Sequence, residues 1–295
     1  ELPLAEHGYV SFALEGDEKR VGIRRVHLEE DTGKLVHAGV MEEADSSLVD
    51  YNRCGVPLME IVSDPDLRTP GEAAEYLRTL RAVLVYLGVC DGNMEEGSFR
   101  CDANISIRPI GATELGVKVE VKNMNSFKNV QKALEYEIRR QVRAVAEGER
   151  LVQETRLWNA DQEITLSMRS KEHAHDYRYF PDPDLVPLAV ESAWVEEIRG
   201  GLPELPDAKR ERFVREYGIP AYDAGVLTAS KELAAYYEAC VSRPSDPKAA
   251  SNWVMVELLG RLNKDGKGIA ESPIGPERLG AMLDLLAKGT ISGKM

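Results

Sequence analysis

Alternation of apolar and polar residues predicts the strands in the first part of the chain. Two alternating stretches over 9–28 flank the turn sequence at 15–18, which is typical of a β-hairpin. Over 98–108 and again over 117–122, every second residue is apolar and the residues between are polar. That period of two predicts strands with one apolar and one ionic face. A second hairpin is predicted over 151–169.

Two longer segments carry apolar residues every three or four positions, which is the period of an amphipathic helix. The first begins at Thr69, which forms a capping-box pattern with Glu72, and ends at Gly88. The second begins at about Phe127 and ends at Gly148. Strands and helices mixed in this way, and joined largely by hairpins, predict an antiparallel α+β domain without a regular βαβ repeat.

The pattern changes after the proline-rich segment 180–187, because strand signals end there. Short helical patterns bounded by Gly, Pro or capping residues follow at 192–199, 207–217, 230–241, 246–262 and 275–288. The sequence therefore predicts two domains: an α+β domain over 1–188 and an all-helical domain over 189–295.

Composition narrows the function classes. The 37 Lys and Arg residues are outnumbered by 50 Asp and Glu residues, for a net charge of −13, which argues against a free-standing electrostatic nucleic-acid binder. Apolar runs are too short to cross a bilayer, so we expect a soluble cytoplasmic protein without a membrane partner. The four cysteines form no CxxC pair, which favours buried structural thiols over a zinc site.

One acidic constellation suggests a metal site. Glu29 and Glu30, followed by Asp31, end a predicted strand, and Glu60 lies in a second segment with Asp64 and Asp66 after it (six acids in all). Carboxylates that converge from two segments supply the hard oxygen ligands that Mg²⁺ needs. An acidic turn exposed to solvent explains the same residues, and spacing alone does not decide between the two.

The polar faces of the two central strands suggest a second site. If the strands pair, their alternating charges form a flat field that suits phosphate, metal or amine ligands. The residues are Arg100, Asp102 and Asn104 on the first strand and Lys118, Glu120 and Lys122 on the second. An ordinary solvent-facing sheet is the alternative.

The histidines give weaker signals. His27 lies two residues before Glu29 and can face the same way on a strand, whereas His173 and His175 are predicted to lie in a polar loop without a metal. The sequence contains neither a Walker loop nor a nucleophilic serine elbow. Any phosphate binding must therefore use the arginines and lysines of the sheet.

Five stretches together resemble the B subunits of the aspartyl/glutamyl-tRNA amidotransferases, the GatB/GatE family. They are RVHLEED at 25–31, DYNRCGVPLMEIVS at 50–63, MEEGSFRCDAN at 94–104, KNMNSF at 122–127 and DYRYFP at 176–181. The resemblance covers nearly the whole chain, and motifs this long in this order are specific.

The resemblance implies a cradle domain of the glutamine synthetase and guanido kinase type, followed by a helical domain that contacts tRNA. It implies that ATP phosphorylates the side-chain carboxylate of Glu or Asp misacylated onto tRNA. Ammonia from the amidase-type glutaminase of the same amidotransferase would displace the phosphate, and the small third protein of the heterotrimer would complete the assembly. By resemblance, Glu30 and Glu60 match magnesium ligands, and Glu29 lies beside them as a third catalytic acid. The ionic strand faces would then bind nucleotide phosphate or line the ammonia route.

The family pattern also predicts that this sequence is part of a longer chain, without an N-terminal segment that completes the metal shell and without the C-terminal tail. Contacts with tRNA would fall to cations of the helical domain, with Arg212, Arg215 and Lys264 as the candidates. Two alternatives remain open at this point. One is a carboxylate-amine ligase for a free amino acid, and the other is a noncatalytic tRNA-docking protein.

Overall fold

The computed structural model describes residues 3–37, 47–168, 186, 188–241 and 246–293. They fall into two compact units. The first contains residues up to 80 together with 101–168, and the second contains 81–100 together with the described residues after 168. The domain boundary at 188/189 stays a prediction.

A three-stranded antiparallel sheet opens the first unit and confirms the first predicted hairpin. Its strands are β1 (Ala5–Leu14), β2 (Asp17–Glu30) and β5 (Pro57–Ser63), in the order β1-β2-β5. A separate pair, β3 (Lys34–His37) and β4 (Ser47–Asp50), was not predicted.

A four-stranded sheet completes the first unit, with strands β6 (Ala103–Ile105), β7 (Val119–Lys122), β8 (Glu154–Asn159) and β9 (Ile164–Ser167) in chain order. The hairpin of β8 and β9 confirms the second predicted hairpin. The α+β class with largely antiparallel sheets is also confirmed, but β7 and β8 pair in parallel. The sequence did not predict this parallel pair, which forms because the helix between the two strands crosses the sheet and brings the chain back in the same direction.

Both predicted helices of the α+β region are present: α1 (Pro70–Tyr86) and α2 (Phe127–Ala146). The capping box of α1 forms as its sequence indicated. The backbone N–H of Glu72 donates to Thr69 Oγ1 at 3.1 Å, and the backbone N–H of Thr69 donates to the Glu72 carboxylate at 3.3 Å. Ser126 Oγ caps α2 by accepting from the backbone N–H of Asn129 at 3.1 Å.

Helix α2 lies against the apolar face of the four-stranded sheet, and a buried carboxylate lies between them. Glu137 has 0 % of its side chain exposed. It accepts hydrogen bonds from Arg140 of its own helix turn, from Gln141 Nε2 at 3.0 Å and from Thr165 Oγ1 of β9 at 2.9 Å. Arg156 of β8 approaches the same carboxylate at 3.5 Å. A charge this deeply buried is tolerated because its oxygens are hydrogen-bonded on both sides.

The described residues from 192 onward form helices and no strands, which confirms the helical character predicted for this region. The helices are α3 (Ser192–Gly201), α4 (Pro206–Tyr217), α5 (Ala221–Leu227), α6 (Lys231–Val241), α7 (Pro247–Asn252), α8 (Leu259–Lys264) and α9 (Pro276–Ala287). Sequence periodicity missed α5 and did not anticipate the π-helical segment Trp253–Leu258 that joins α7 to α8.

The core of the helical unit is built around three aromatic rings. Phe213 and Tyr217 of α4 pack against Tyr237 of α6, with ring centroids 5.2 to 5.6 Å apart. Tyr86 at the end of α1 donates a hydrogen bond to the carbonyl oxygen of Thr228 at 2.8 Å, within the same unit. None of the described helices is long and apolar enough to cross a lipid bilayer.

The Glu137 network should control the stability of the first unit. We expect Glu137→Ala to lower its free energy of unfolding by about 3 kcal/mol, because the change leaves the buried groups of Arg140, Gln141 and Thr165 without their acceptor. Denaturation followed by the fluorescence of Trp158, with Trp194 and Trp253 replaced by Phe, measures this loss.

Arg143→Ala is the matched control on the same helix, since Arg143 is 80 % exposed and its nearest carboxylate, Glu147, is 3.9 Å away. It should cost about 0.5 kcal/mol or less. Equal losses for the two variants would contradict the role given to Glu137.

Candidate functional site

The pairing of β2 with β5 decides which of the predicted acids can act together. Glu60 lies directly opposite His27, and Glu29 lies opposite Leu58. Residues two apart on a strand share a face, and so do residues directly opposite each other on paired strands. Glu29, His27 and Glu60 therefore lie on one face, whereas Glu30 lies on the other. A diagonal pair such as Glu29 and Glu60 is within reach of long side chains.

Three of the six acids serve the fold. Asp31 is buried, accepts from the backbone N–H of Gly33 at 3.0 Å, and lies 3.5 Å from Arg53. Asp64 bonds to Arg24 at 3.0 Å, and Asp66 accepts from the backbone N–H of Gly22 at 2.9 Å. Of the remaining acids, Glu29 and Glu30 are both exposed, and neither side chain forms a hydrogen bond or ion pair among the described residues.

The face that holds Glu29 and Glu60 is the candidate for the predicted magnesium site. His27 Nδ1 lies 3.7 Å from Glu60 Oε2, and its Nε2 is buried without a hydrogen-bond partner in the described part of the chain. No three His, Cys, Asp or Glu side chains gather into a metal-binding group within the ranges described. Two carboxylates fit Mg²⁺, because this ion usually keeps several waters and takes phosphate oxygens as further ligands. The register does not bring Glu30 to this pair, so its role as a ligand stays a prediction without structural support.

The predicted ionic face assembles in part on the four-stranded sheet. Asn104 lies directly opposite Glu120. Lys122 Nζ lies 2.8 Å from Asp102 Oδ2 and 3.5 Å from Glu120 Oε1. Burial acts to lower the pKa of Lys122, but the hydrogen bonds and charges of these two carboxylates outweigh it and raise the pKa. We call Asp102, Asn104, Glu120 and Lys122 the ionic face.

Two further residues, Lys118 and Arg100, were predicted for this face. Lys118 is exposed just before β7, and Arg100 falls in the other compact unit. Sequence reasoning also missed Thr155, whose Oγ1 donates to Glu120 Oε2 at 2.9 Å. No sequence signal marked it, because the parallel pairing that brings β8 beside β7 was not predicted.

Tyr76 of α1 is buried near the end of β5. It is 5 % exposed, shares a side-chain hydrogen bond with Ser63 of β5, and lies near Cys101. Burial, and to a lesser degree the charge of Cys101, raises the pKa of Tyr76 to about 12, although the bond to Ser63 acts against it.

Burial likewise raises the pKa of Cys101 to about 12, with a smaller contribution from Asp102, which disfavours its reactive thiolate form. Of the four cysteines, Cys240 is buried and Cys90 and Cys101 are partly buried. Cys54 is exposed, so the expectation of buried thiols is wrong for Cys54.

The three candidate tRNA contacts differ in what their side chains do. Arg212 forms hydrogen bonds with both carboxylate oxygens of Glu204, at 2.8 and 2.7 Å, and with Glu238 of α6 at 2.5 Å. The side chain of Arg212 is 21 % exposed, whereas that of Arg215 is 68 % exposed. Lys264 is exposed in the last turn of α8. Arg212 therefore joins α4 to α6 inside the bundle. Among the described residues, Arg215 pairs only with its exposed neighbour Glu216, at 3.3 Å, so Arg215 and Lys264 are the more accessible of the three candidates.

Some predicted residues lie outside the described part of the chain. They are His173, His175 and the motif at 176–181.

The architecture and the carboxylates together define a class: a mixed α/β domain with a candidate site for a metal-bound phosphate, followed by a helical region. Comparison with known proteins identifies the family within this class. Residues 1–196 match the family model of the GatB/GatE catalytic domain, and residues 235–295 match that of the GatB domain.

Similar proteins of known name extend the match to the whole chain. It is 59 % identical over 295 residues to the aspartyl/glutamyl-tRNA(Asn/Gln) amidotransferase B subunit of Carboxydothermus hydrogenoformans, and this alignment covers 100 % of the chain and 61 % of the relative. The B subunit of the same name from Thermodesulfovibrio yellowstonii is 55 % identical over 99 % of the chain and 61 % of its own length. That of Geotalea daltonii is 56 % identical over 100 % of the chain and 62 % of its own length.

The chain belongs to the GatB/GatE family, and the resemblance of its motifs is confirmed. It spans about three fifths of the length of these relatives.

The clamp formed by Arg212 should make the helical unit sensitive to acid. The hydrogen bond from Arg212 lowers the pKa of Glu204 to about 2, against a smaller opposing effect of burial. Because this pKa lies below the unfolded value of 4.5, its stabilisation is complete above about pH 5 and is lost as the pH falls toward 2. We expect Glu204→Gln to remove about 2 kcal/mol at pH 7 and much less at pH 3, as measured by denaturation followed by Trp253 fluorescence, with Trp158 and Trp194 replaced by Phe.

Glu196→Gln is the control, because Glu196 pairs with Arg199 on the surface of α3 and both side chains are 64 % exposed. It should change stability little at either pH. A loss in Glu204→Gln that is the same at pH 3 and pH 7 would contradict the clamp.

Proposed function

We propose that this chain provides the catalytic part of a protein that converts misacylated Glu-tRNA(Gln) or Asp-tRNA(Asn) into the amidated form, using ATP. The observation that carries the proposal is the identity of 59 % over the whole chain with a relative named as part of this amidotransferase. The partners proposed with it are the amidase-type glutaminase and the small third protein of a heterotrimeric amidotransferase, together with the misacylated tRNA, in the cytoplasm.

The reaction needs activation because a carboxylate is a poor electrophile with a poor leaving group. Transfer of the ATP γ-phosphate to the side-chain carboxylate of the tRNA-bound amino acid gives an acyl phosphate. Ammonia then attacks its carbonyl carbon, forms the C–N bond and expels inorganic phosphate. Mg²⁺ bound with ATP would supply the positive charge that phosphate transfer needs.

The carboxylates of Glu29 and Glu60 are the proposed magnesium ligands of this chain. They share one face of the β2/β5 pair with His27, and the two glutamates are open to solvent and thus to a phosphate. This replaces the pair Glu30 and Glu60, whose side chains point to opposite faces. The catalytic role that the resemblance implies for Glu30 stays a prediction, since Glu30 lies on the other face of the pair.

Metal binding distinguishes the Glu29 and Glu60 pair from the Glu30 and Glu60 pair. In the assembled amidotransferase with the full-length protein, Glu29→Gln and Glu60→Gln should each weaken Mn²⁺ binding about tenfold or more, as measured by electron paramagnetic resonance, and should abolish ATP-dependent amidation. Glu30→Gln is the matched control for charge and position, and it should change Mn²⁺ affinity by less than about threefold. A loss of Mn²⁺ binding in Glu30→Gln but not in Glu29→Gln would refute the pair proposed here.

The ionic face is proposed to accept ammonia on its way to the acyl phosphate. Its carboxylates and the amide oxygen of Asn104 are hydrogen-bond acceptors, as an N–H donor requires. A continuous set of paired polar groups can replace water around a small polar molecule.

The helical unit is proposed to dock tRNA through exposed cations. Arg215 and Lys264 have the exposure and charge that phosphate contacts need. Because the chain as a whole is acidic, with a net charge of −13, its overall field repels RNA, so tRNA must be bound by individual exposed cations.

Charge reversal tests this docking. In the assembled enzyme, Arg215→Glu and Lys264→Glu should raise the KM for misacylated tRNA, leave kcat nearly unchanged, and lower the salt dependence of binding by about one unit per lost contact. Arg143→Glu on α2 makes the same charge change in the first unit and should leave KM unaltered. A fall in kcat at unchanged KM would assign these cations to the chemical step instead. Arg212 is left intact, since its replacement would disturb the bundle.

A further inference from the structure

The hydroxyl of Thr155 occupies a position that the reaction, as described so far, does not use. Parallel pairing places Thr155 of β8 beside Glu120 of β7. Its Oγ1 donates to Glu120 Oε2 at 2.9 Å, and the contact is partly buried. The side chain therefore belongs to the surface that holds the ionic face.

This hydrogen bond completes a chain of contacts across two strands and the loop before β6. Glu120 Oε2 accepts from Thr155, and Oε1 lies 3.5 Å from Lys122 Nζ. The same ammonium group lies 2.8 Å from Asp102 Oδ2. Because both oxygens of Glu120 have partners, the carboxylate plane is fixed at each end.

The position of Thr155 is in turn fixed from the opposite face of the sheet. Arg156, the next residue, donates to Thr165 Oγ1 and to the Thr165 carbonyl oxygen, both at 2.8 Å, and to Glu154 Oε1 at 2.8 Å. Its guanidinium is also 3.5 Å from the buried Glu137. Consecutive side chains on a strand point to opposite faces, so an anchored Arg156 holds Thr155 toward the ionic face.

The direction of the hydrogen bond determines what Thr155 can offer to a ligand. A threonine hydroxyl has one proton, which here goes to Glu120, so its oxygen can only accept from any further partner. Asn104, directly opposite Glu120, carries an amide oxygen that can also accept. A small molecule with several N–H donors, such as ammonia or ammonium, matches these acceptors.

We infer that Thr155 is a positioning residue for the ionic face, which holds the Glu120 carboxylate in place and turns a hydroxyl oxygen toward the nitrogen nucleophile. The inference rests on the proposed function, in which this face receives ammonia. It adds a residue from β8 to a site that the sequence placed only on the two strands before it.

The experiment uses the assembled enzyme with Thr155→Val, which keeps the side-chain shape and removes the hydroxyl, and Thr155→Ser, which restores it. Amidation is measured with glutamine and with added ammonium chloride, at varied misacylated tRNA. We expect Thr155→Val to lower kcat with glutamine about tenfold, the size expected for one hydrogen bond to a charged group, and to leave the KM for tRNA unchanged. A high ammonium concentration should restore much of the rate, and Thr155→Ser should stay within about twofold of the parent enzyme.

Two further variants make the result specific. Ser167→Ala removes a hydroxyl that bonds to Glu154 on the other face of the same sheet, and it should leave both nitrogen donors equally effective. Glu120→Gln reports on the proposed ammonia route itself and should reduce glutamine-dependent more than ammonium-dependent amidation.

The outcomes distinguish the inference from the proposed function. If Glu120→Gln shifts the ratio of the two nitrogen donors and Thr155→Val does not, the positioning role is overturned and the route remains. If Glu120→Gln leaves the ratio unchanged, the route is wrong and the inference falls with it. Three results would overturn the inference and make Thr155 a structural residue. They are a loss of rate in Thr155→Val that is equal for both nitrogen donors, a loss that Thr155→Ser does not rescue, and a loss that Ser167→Ala reproduces.

Discussion

The buried carboxylate of Glu137 is the interaction on which the mixed sheet of the first unit depends. A charge without water costs several kcal/mol unless hydrogen bonds replace the lost hydration. Here they come from Arg140 and Gln141 on the same helix, from Thr165 on β9 and, more distantly, from Arg156 on β8. The carboxylate is thus satisfied only when α2 lies across the sheet, and this requirement favours the crossover that makes β7 and β8 parallel.

The period of two along a strand then distributes the chemistry. On β8 it sends Arg156 to the buried network and Thr155 to the ionic face. On β2 the same rule separates Glu29 from Glu30, although they are adjacent in sequence. Two acids that look like one cluster in the sequence are therefore separated: Glu29 is the proposed metal ligand on one face, and Glu30 is a carboxylate on the other. Strand register, more than composition, therefore decides which charges can cooperate.

The sequence predicted correctly those helices and strands whose formation depends on neighbouring residues. The capping box at Thr69 and the alternation around Val119 and Val121, both of which are fully buried, depend on neighbouring residues, so they could be predicted. The pairing of β7 with β8 joins residues about 35 positions apart, and no local pattern encodes it. Thr155 was missed for that reason. The sequence also did not reveal the register of β2 and β5, which places Glu29, and not Glu30, on the same face as Glu60.

In the helical unit, too, the sequence alone does not show which charged residues are paired within the fold. Arg212 and Arg215 lie one turn apart on α4 and look equivalent in the sequence. Only the packing of α4 against α6 brings Glu238 to the first of them, together with Glu204 from the chain before α4, while the second stays in solvent. A charge bound by three carboxylate oxygens contributes little to an outward field, whereas an exposed one retains its attraction for phosphate. The acidic chain can therefore present a local cationic surface only where its arginines and lysines are not used within the bundle. This restricts the proposed tRNA contact to exposed cations such as Arg215 and Lys264.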